Sequence, residues 1–420
     1  MIDRNDWRGK RVLLLQGPLG PFFARLARDL RAAGADVQKI NFNGGDQFFS
    51  PDGIPYTGTL DHWPTWLEAL LVVRGFDAVA LFGDRRPVHD FVAAMCRKLG
   101  VDCYVFEEGY FRPAYITCEL GGVNARSTIP RDPEFYLAHA EQEPTLEVQP
   151  PANAYWYMVL WTCVYYFFSA MLWPRYRHYR HHRPLRLTEC LLWVRGSARK
   201  WWRRFTERRV EQLLTTELSG KFFLVPLQVH NDAQVTHNSR FGTVEAFIAE
   251  LVASFARHAA PDVVLVFKHH PMDRAYRNYG SLIRSLADEH GLKGRLLYIH
   301  DQHLPTLLDH ALGVAVINST AGLSAVHQGV PTITLGDAFY DMQGLTCQSP
   351  LHEFWVNPSA HRPVRDLYLA YRRWVIKNAQ INDNFYAGPL RGAAIDNEVH
   401  WRASAERTVP SPTASQEQLS

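Results

Sequence analysis

Glu107 and Glu108 stand side by side in "YVFEEGYFRP" (104–113), where an apolar run gives way to a glycine. Two like charges repel unless water, a cation or a reaction uses them, and a carboxylate at a cleft can act as general base or nucleophile. In an extended segment adjacent side chains point to opposite faces, so one of the pair is expected to reach a substrate. A solvated loop pair is the plain alternative.

Three other stretches carry chemistry. In "VFKHHP" (266–271) Lys268, His269 and His270 follow an apolar run, and Pro271 holds His270 extended. A cation and an imidazole there suit a phosphate, with a satisfied surface histidine as the alternative. In "VINSTAGLSAVHQG" (316–329) Ser319 and Thr320 open a helix of small residues, where hydroxyls and free N–H groups can hold an anion or simply cap. "PLQVHND" (226–232) ends another run with Gln228, His230 and Asp232. Each stretch alone is weakly specific. Their order along the chain says more.

The elements that must position them alternate. "RVLLLQG" (11–17) reads as a buried strand, followed by a helix with Phe22, Phe23, Leu26 and Leu30 on one face that Gly34 ends. "ADVQKINFNGG", "FDAVALFGD" and "VDCYVFEEG" read as further strands, with a helix over about 88–99. Such alternation argues for parallel sheets covered by helices, and ligands of open α/β sheets bind outside the carboxyl ends of the strands. Gln16, Asn43, Asp84 and Arg112 belong to the polar clusters at those ends and are assigned to the cleft and acceptor. A second unit follows in "KFFLVPLQV", "VVLVFKHHP", "RLLYIH", "GVAVINS" and "PTITLG", then an amphipathic helix over 364–378. The fold class is therefore α/β and GT-B-like, two Rossmann-like domains facing a cleft. The expected boundaries are 1–145, an insertion over 150–215, 216–360, trailing helices over 361–395 that pack back across the domains, and a disordered tail over 402–420.

Bulk properties agree with two domains. The chain has 420 residues, 47% hydrophobic and 21% charged, an ordinary globular balance. A net charge of +3 is too small to imply nucleic acid. The six cysteines show no CxxC pair and no metal-ligand spacing, so reduced thiols and no metal or cofactor are expected. "MIDRNDWRGK" is polar and leads into a strand, unlike a signal peptide, which points to a cytoplasmic setting.

The insertion is the oddest segment. "YWYMVLWTCVYYFFSAMLW" (155–173) holds nine aromatics and no charge, and 175–209 then holds twelve Lys or Arg against Glu189 and Glu207. A transmembrane span would place the two sheet domains on opposite sides of a membrane. An inter-domain helical pair with a solvated basic face is a second option, and nucleic-acid binding a third without a fold signature to support it. A helical hairpin in the headgroup region fits best, because Trp and Tyr favour the interface and Arg attracts anionic lipid.

The order of an acidic pair before Gly, then His-Pro, then Ser-Thr resembles bacterial sialyltransferases and Kdo transferases. More closely, the chain resembles the capsule polysaccharide biosynthesis family, in its KpsS/LipB-type branch. The likeness is carried by "LLLQGPLGPFFARLARDLRAAGADVQKINFNGGD", "LFGDRRPVH", "VFEEGYFRPAYITCELGGVNARSTIPRDPEFY", "PLQVHNDAQV", "FKHHP" and "INSTAGLSA", across most of 11–136 and 222–345. It implies a metal-free GT-B enzyme that places the first β-linked Kdo from CMP-β-Kdo on phosphatidylglycerol or lyso-phosphatidylglycerol. It would sit peripherally on the anionic cytoplasmic face of the inner membrane, beside a companion Kdo transferase and capsule export machinery. By the same resemblance Glu108 takes the catalytic position with Glu107 beside it. His270 and Pro271 form the HP motif and Ser319 and Thr320 meet the nucleotide phosphate, while Lys268 and Gln228 join the nucleotide-sugar site by their places at strand ends. Both acidic positions are Glu where relatives often carry Asp, which leaves the choice between the two open. A sialyltransferase or epimerase on the same fold, or a non-catalytic export scaffold, are the competing readings.

Overall fold

The computed structural model describes residues 7–140, 155–180, 188–236 and 238–386. Twelve strands run through the described residues: β1 (Arg11–Leu14), β2 (Asp36–Asn41), β3 (Ile54–Pro55), β4 (Ala78–Phe82), β5 (Asp102–Glu108), β6 (Ile116–Leu120), β7 (Phe222–Pro226), β8 (Val264–Lys268), β9 (Leu296–Ile299), β10 (Gly313–Val316), β11 (Thr332–Thr334) and β12 (Gln380–Ile381). They form two sheets, ordered β12-β6-β5-β4-β1-β2-β3 and β11-β10-β7-β8-β9. Every pairing in the second sheet is parallel. In the first, β5–β6 and β6–β12 are antiparallel and the rest parallel.

The apolar runs form these strands because a parallel strand is covered on both faces and so reads as continuous hydrophobic sequence. Along β5, Tyr104 and Phe106 pack against Phe22 and Phe23, whereas Cys103 and Val105 face Trp63 and Val88 on the other side. In the second sheet, Phe223, Val225 and Phe267 meet the helix Val244–His258, and Leu224, Val266 and Val316 meet Leu214, Leu307 and Leu308. The architecture is α/β and GT-B-like, as the alternation implies.

Two strands lie outside that alternation. β6 returns antiparallel on β5, with Glu107 opposite Thr117 and Glu108 opposite Ile116. β12 arrives from the far end of the chain, after the helix Arg365–Ala379 has left the second unit, and closes the edge of the first sheet. Tyr110, Ile129 and Tyr136 of the first unit share one core with Leu323, Phe339 and Tyr340 of the second and Tyr371 of that helix.

The insertion forms the helix Tyr155–Met171 and, after a gap in the described residues, the helices Thr188–Thr206 and Arg208–Thr215. Among the described residues, no helix is long and apolar enough to cross a membrane. The first helix lies on the helix Gly44–Phe49. A Cβ on Gly44 would meet the Phe168 carbonyl oxygen at 2.0 Å, and one on Gly45 would meet the Tyr165 ring at 2.6 Å, so only glycine permits the approach. The second helix is fixed to the other unit: Arg203 Nη1 donates to Glu207 Oε1 at 2.9 Å and lies 2.6 Å from His300 Nδ1. This corrects one expectation from the basic run. Arg203 is spent on docking the helix and is not presented to a lipid surface. The tail expected over 402–420 lies outside the described residues.

Candidate active site

The carboxylates occupy the last two rungs of β5. Gly109 must follow them, because a Cβ there would lie 1.8 Å from the Tyr115 carbonyl oxygen where the loop folds back. The two side chains take opposite faces, and they differ in their partners. Glu107 Oε1 accepts the Glu108 backbone N–H at 3.0 Å. Burial pushes the Glu107 carboxyl up to about 7, with the neighbouring Glu108 charge adding to the rise and Arg86 and Arg112 opposing it. The half-buried Glu108 carboxylate makes no hydrogen bond among the described residues, so it is the member free to meet a substrate.

The second unit brings its loops to the same cleft. His270 caps the short helix Pro271–Asp273, its Nδ1 accepting the Met272 N–H at 3.2 Å. Burial lowers its pKa while the Asp273 and Asp232 carboxylates oppose the fall, and Arg112 of the facing unit adds to it. Arg112 is exposed, and its charge acts on both Glu107 and His270. The Arg112 guanidinium thus lies within electrostatic reach of both motifs, while its Nε donates to the Gly109 carbonyl at 3.2 Å. Arg85 also reaches across to Asn238, and Tyr110 stacks on Phe339 at 3.8 Å between ring centroids.

Ser319 caps the helix Thr320–His327, its Oγ accepting the Ala321 N–H at 3.2 Å, and Thr320 is half-exposed at its first turn. Gln228 is buried and ties the ends of β7 and β10 together, donating to Asn318 Oδ1 at 3.0 Å and to Asp232 Oδ2 at 3.2 Å. In the strand order of this sheet the direction of winding reverses between β7 and β10, the place where open α/β sheets bind ligands.

Several expected roles change. Lys268 is buried and its Nζ donates to the His300 carbonyl at 3.1 Å, toward β9 and away from β10. Burial lowers its pKa. A buried cation commits to the nearest acceptor, and here that acceptor is backbone. Gln16 and Asn43 are buried beneath the insertion: Tyr179 Oη accepts from Gln16 Nε2 and Tyr165 Oη from Asn43 Nδ2, both at 2.7 Å. They hold the insertion helix in place and are not open to an acceptor. Asp84 is buried too, beneath Val123 and Arg126, and burial raises its pKa. Only Arg112 of the four assigned cleft residues is exposed there.

Two carboxylates lacked any sequence assignment. Asp273 is fully buried and accepts the His230 N–H at 2.8 Å and His230 Nδ1 at 2.6 Å. Glu119 is buried under Tyr110, whose Oη donates to Glu119 Oε1 at 2.6 Å, and burial pushes Glu119 up to about 7. The one available signal for Asp273 was its place three residues after His270. Among the described residues, no group of three or more His, Cys, Asp or Glu side chains is arranged to hold a metal. A depression of about 250 Å³ lined by Ser219, His310, Pro331 and Arg362 lies at the opposite, amino-terminal end of the second sheet and is not this site.

Known proteins place the chain in a family. The model for capsule polysaccharide biosynthesis protein matches residues 77–386. Capsule polysaccharide export protein KpsS of Escherichia coli is 39% identical over 388 residues, 90% of this chain and 97% of its own. Capsule polysaccharide modification protein LipB of Neisseria meningitidis serogroup B is 38% identical over 390 residues, 90% of this chain and 92% of its own. The solved beta Kdo 2,7 transferase of Thermosulfurimonas dismutans KpsC superposes with a TM-score of 0.40 at 15% identity, over 87% of this chain and 89% of its own, too loosely to argue from. The chain belongs to the capsule polysaccharide biosynthesis family.

Proposed function

We propose that the chain is a retaining glycosyltransferase that moves β-Kdo from CMP-β-Kdo to a phosphatidylglycerol-type lipid, initiating the linker on which capsular polysaccharide is carried. The observation that carries this reading is the placement of Glu107–Glu108 at the carboxyl end of β5 and of the His270–Pro271 loop just after β8, in two Rossmann-like units that meet through Arg85–Asn238 and Tyr110–Phe339. Family membership and the resemblance of the three motifs to Kdo transferases support CMP-β-Kdo as the donor.

In this reading the bond from the anomeric carbon to the CMP phosphate breaks with its electron pair going to the phosphate. A carboxylate takes the sugar, and the lipid hydroxyl then displaces it. Two inversions preserve the β configuration, as in retaining glycosidases. Glu108, whose carboxylate makes no hydrogen bond among the described residues, suits the role of that carboxylate. Glu107, poised near 7, suits proton transfer at neutral pH. The exposed aromatics of the insertion, Trp156, Trp173, Trp201 and Trp202 among them, support peripheral attachment where the lipid acceptor is concentrated. The companion transferase and export machinery would act on the product.

The test is a mass-spectrometric assay with CMP-β-Kdo generated in situ and phosphatidylglycerol micelles. Wild type should add a single Kdo, and Glu108→Ala should add none while melting normally. The name of the Escherichia coli relative, an export protein, favours a scaffold as second reading. A Glu108→Ala variant that still supports capsule production in cells would decide for it.

A further inference from the structure

A departing CMP phosphate needs a partner of opposite charge, and the ammonium expected to supply it is engaged elsewhere. Lys268 Nζ is bonded to the His300 carbonyl, while Ser319 and Thr320 bring hydroxyls but no charge. His270 uses Nδ1 on the Met272 N–H, and burial works against its protonation. One imidazole in the same loops has a different setting. His230 follows β7, two residues beyond Gln228, at the reversal point of the sheet. Asp273, with no exposed surface, accepts both the backbone N–H and Nδ1 of His230, at 2.8 and 2.6 Å. A carboxylate on Nδ1 fixes the proton there and leaves Nε2 as the outward atom. The His230 side chain is 23% exposed, and its Nε2 makes no hydrogen bond among the described residues. Asp273 also acts on His270, so the two imidazoles share one carboxylate.

We propose that His230 is a phosphate-binding imidazole of this site, held by Asp273 with Nε2 presented to the nucleoside-monophosphate end of the donor. This deepens the transferase reading and rests on it. Asp273 is a positioning residue: it touches His230 and acts on the phosphate by aiming Nε2. The arrangement also explains how a fully buried aspartate is satisfied. Its two acceptor bonds to His230 replace the water it gave up.

The experiment is calorimetry of the full chain with CMP and, separately, with cytidine, which lacks the phosphate. His230→Asn retains a donor near the Nδ1 position for Asp273 but has nothing at Nε2. It should lose about ten- to hundredfold in CMP affinity, the size of a charge-assisted hydrogen bond, with cytidine binding unchanged. His230→Gln, whose amide reaches toward the Nε2 position, should recover part of that loss. Asp273→Asn should weaken CMP alone, with cytidine binding unchanged. Equal CMP affinity in wild type and His230→Asn overturns the inference and leaves the CMP-sugar reading standing. A parallel loss of CMP and cytidine overturns it too, since the effect would then be structural. If wild type binds neither ligand, the inference and the CMP-sugar reading fall together.

Discussion

Buried carboxylates set the character of this protein at the scale of single residues. Glu107 and Glu119 both titrate near 7, chiefly through burial, but their circumstances differ. Glu107 lies half-buried at the cleft, whereas Glu119 is sealed under Tyr110 and Ser127 and serves the junction between units. The folded pKa of Glu119 exceeds its unfolded value, so its neutral form contributes stability that is complete below about pH 4.5 and fades as pH rises through about 7. Glu119→Gln should therefore flatten the fall in stability across that window by roughly 3 kcal/mol, read from urea midpoints at pH 4.5 and pH 8. An unchanged slope would show that the carboxyl ionises freely. The acidic pair and the His-Pro motif were legible in the sequence because charge at the end of an apolar run is conspicuous. The Asp273–His230 contact was not, since nothing in "HHPMD" says which side chain turns inward.

At the scale of elements, the insertion divides its loyalties. Its first helix is bolted to the Gly44–Phe49 helix and its second to β9 through Glu207, whose carboxyl is held down at about 2 by hydrogen bonds to His300 and Gln302 that outweigh burial. Gly44→Ala should cost about 1–3 kcal/mol, because the methyl meets the Phe168 backbone and no side chain can give way. Thermal melting checks this, with proteolysis of the 155–180 segment as the local readout. The outer faces carry the exposed aromatics, Trp201 at 76% and Trp156 at 75%. Replacing Trp156, Trp201 and Trp202 by Ala should weaken sedimentation with anionic vesicles by about tenfold per residue, the value of burying a large side chain. Unchanged sedimentation would remove the lipid role. Sequence pattern found both helices and their aromatic content. It overvalued the arginines, because Arg203 reads as free charge until Glu207 and His300 are brought beside it.

At the scale of the whole molecule, the end of the described chain returns to its beginning. Gln380 Oε1 accepts the Tyr110 N–H at 2.9 Å and its Nε2 donates to Thr117 Oγ1 at 2.9 Å, while Phe385 is buried with its ring 4.9 Å from that of Phe22. Phe385→Ala should cost about 3–5 kcal/mol and loosen the first unit, although the residue follows the second in sequence. Hydrogen exchange should locate the loss in β1 and β5, and a loss confined to residues after 380 would refute the coupling. Sequence pattern led to the expectation that the trailing segment over 361–395 packs back across the domains, but not that a strand closes the sheet, since a two-residue strand leaves no periodicity to detect. The return has a bearing on synthesis. β6 emerges from the ribosome roughly 260 residues before its edge partner β12, a wait of about 13–50 s at 5–20 residues per second. Through that interval the nascent first unit carries an open sheet edge, the kind of surface that recruits a wrong strand. Folding of the second unit against Tyr110 would cover that edge, and a chain stopped before residue 380 should aggregate more readily than the full chain.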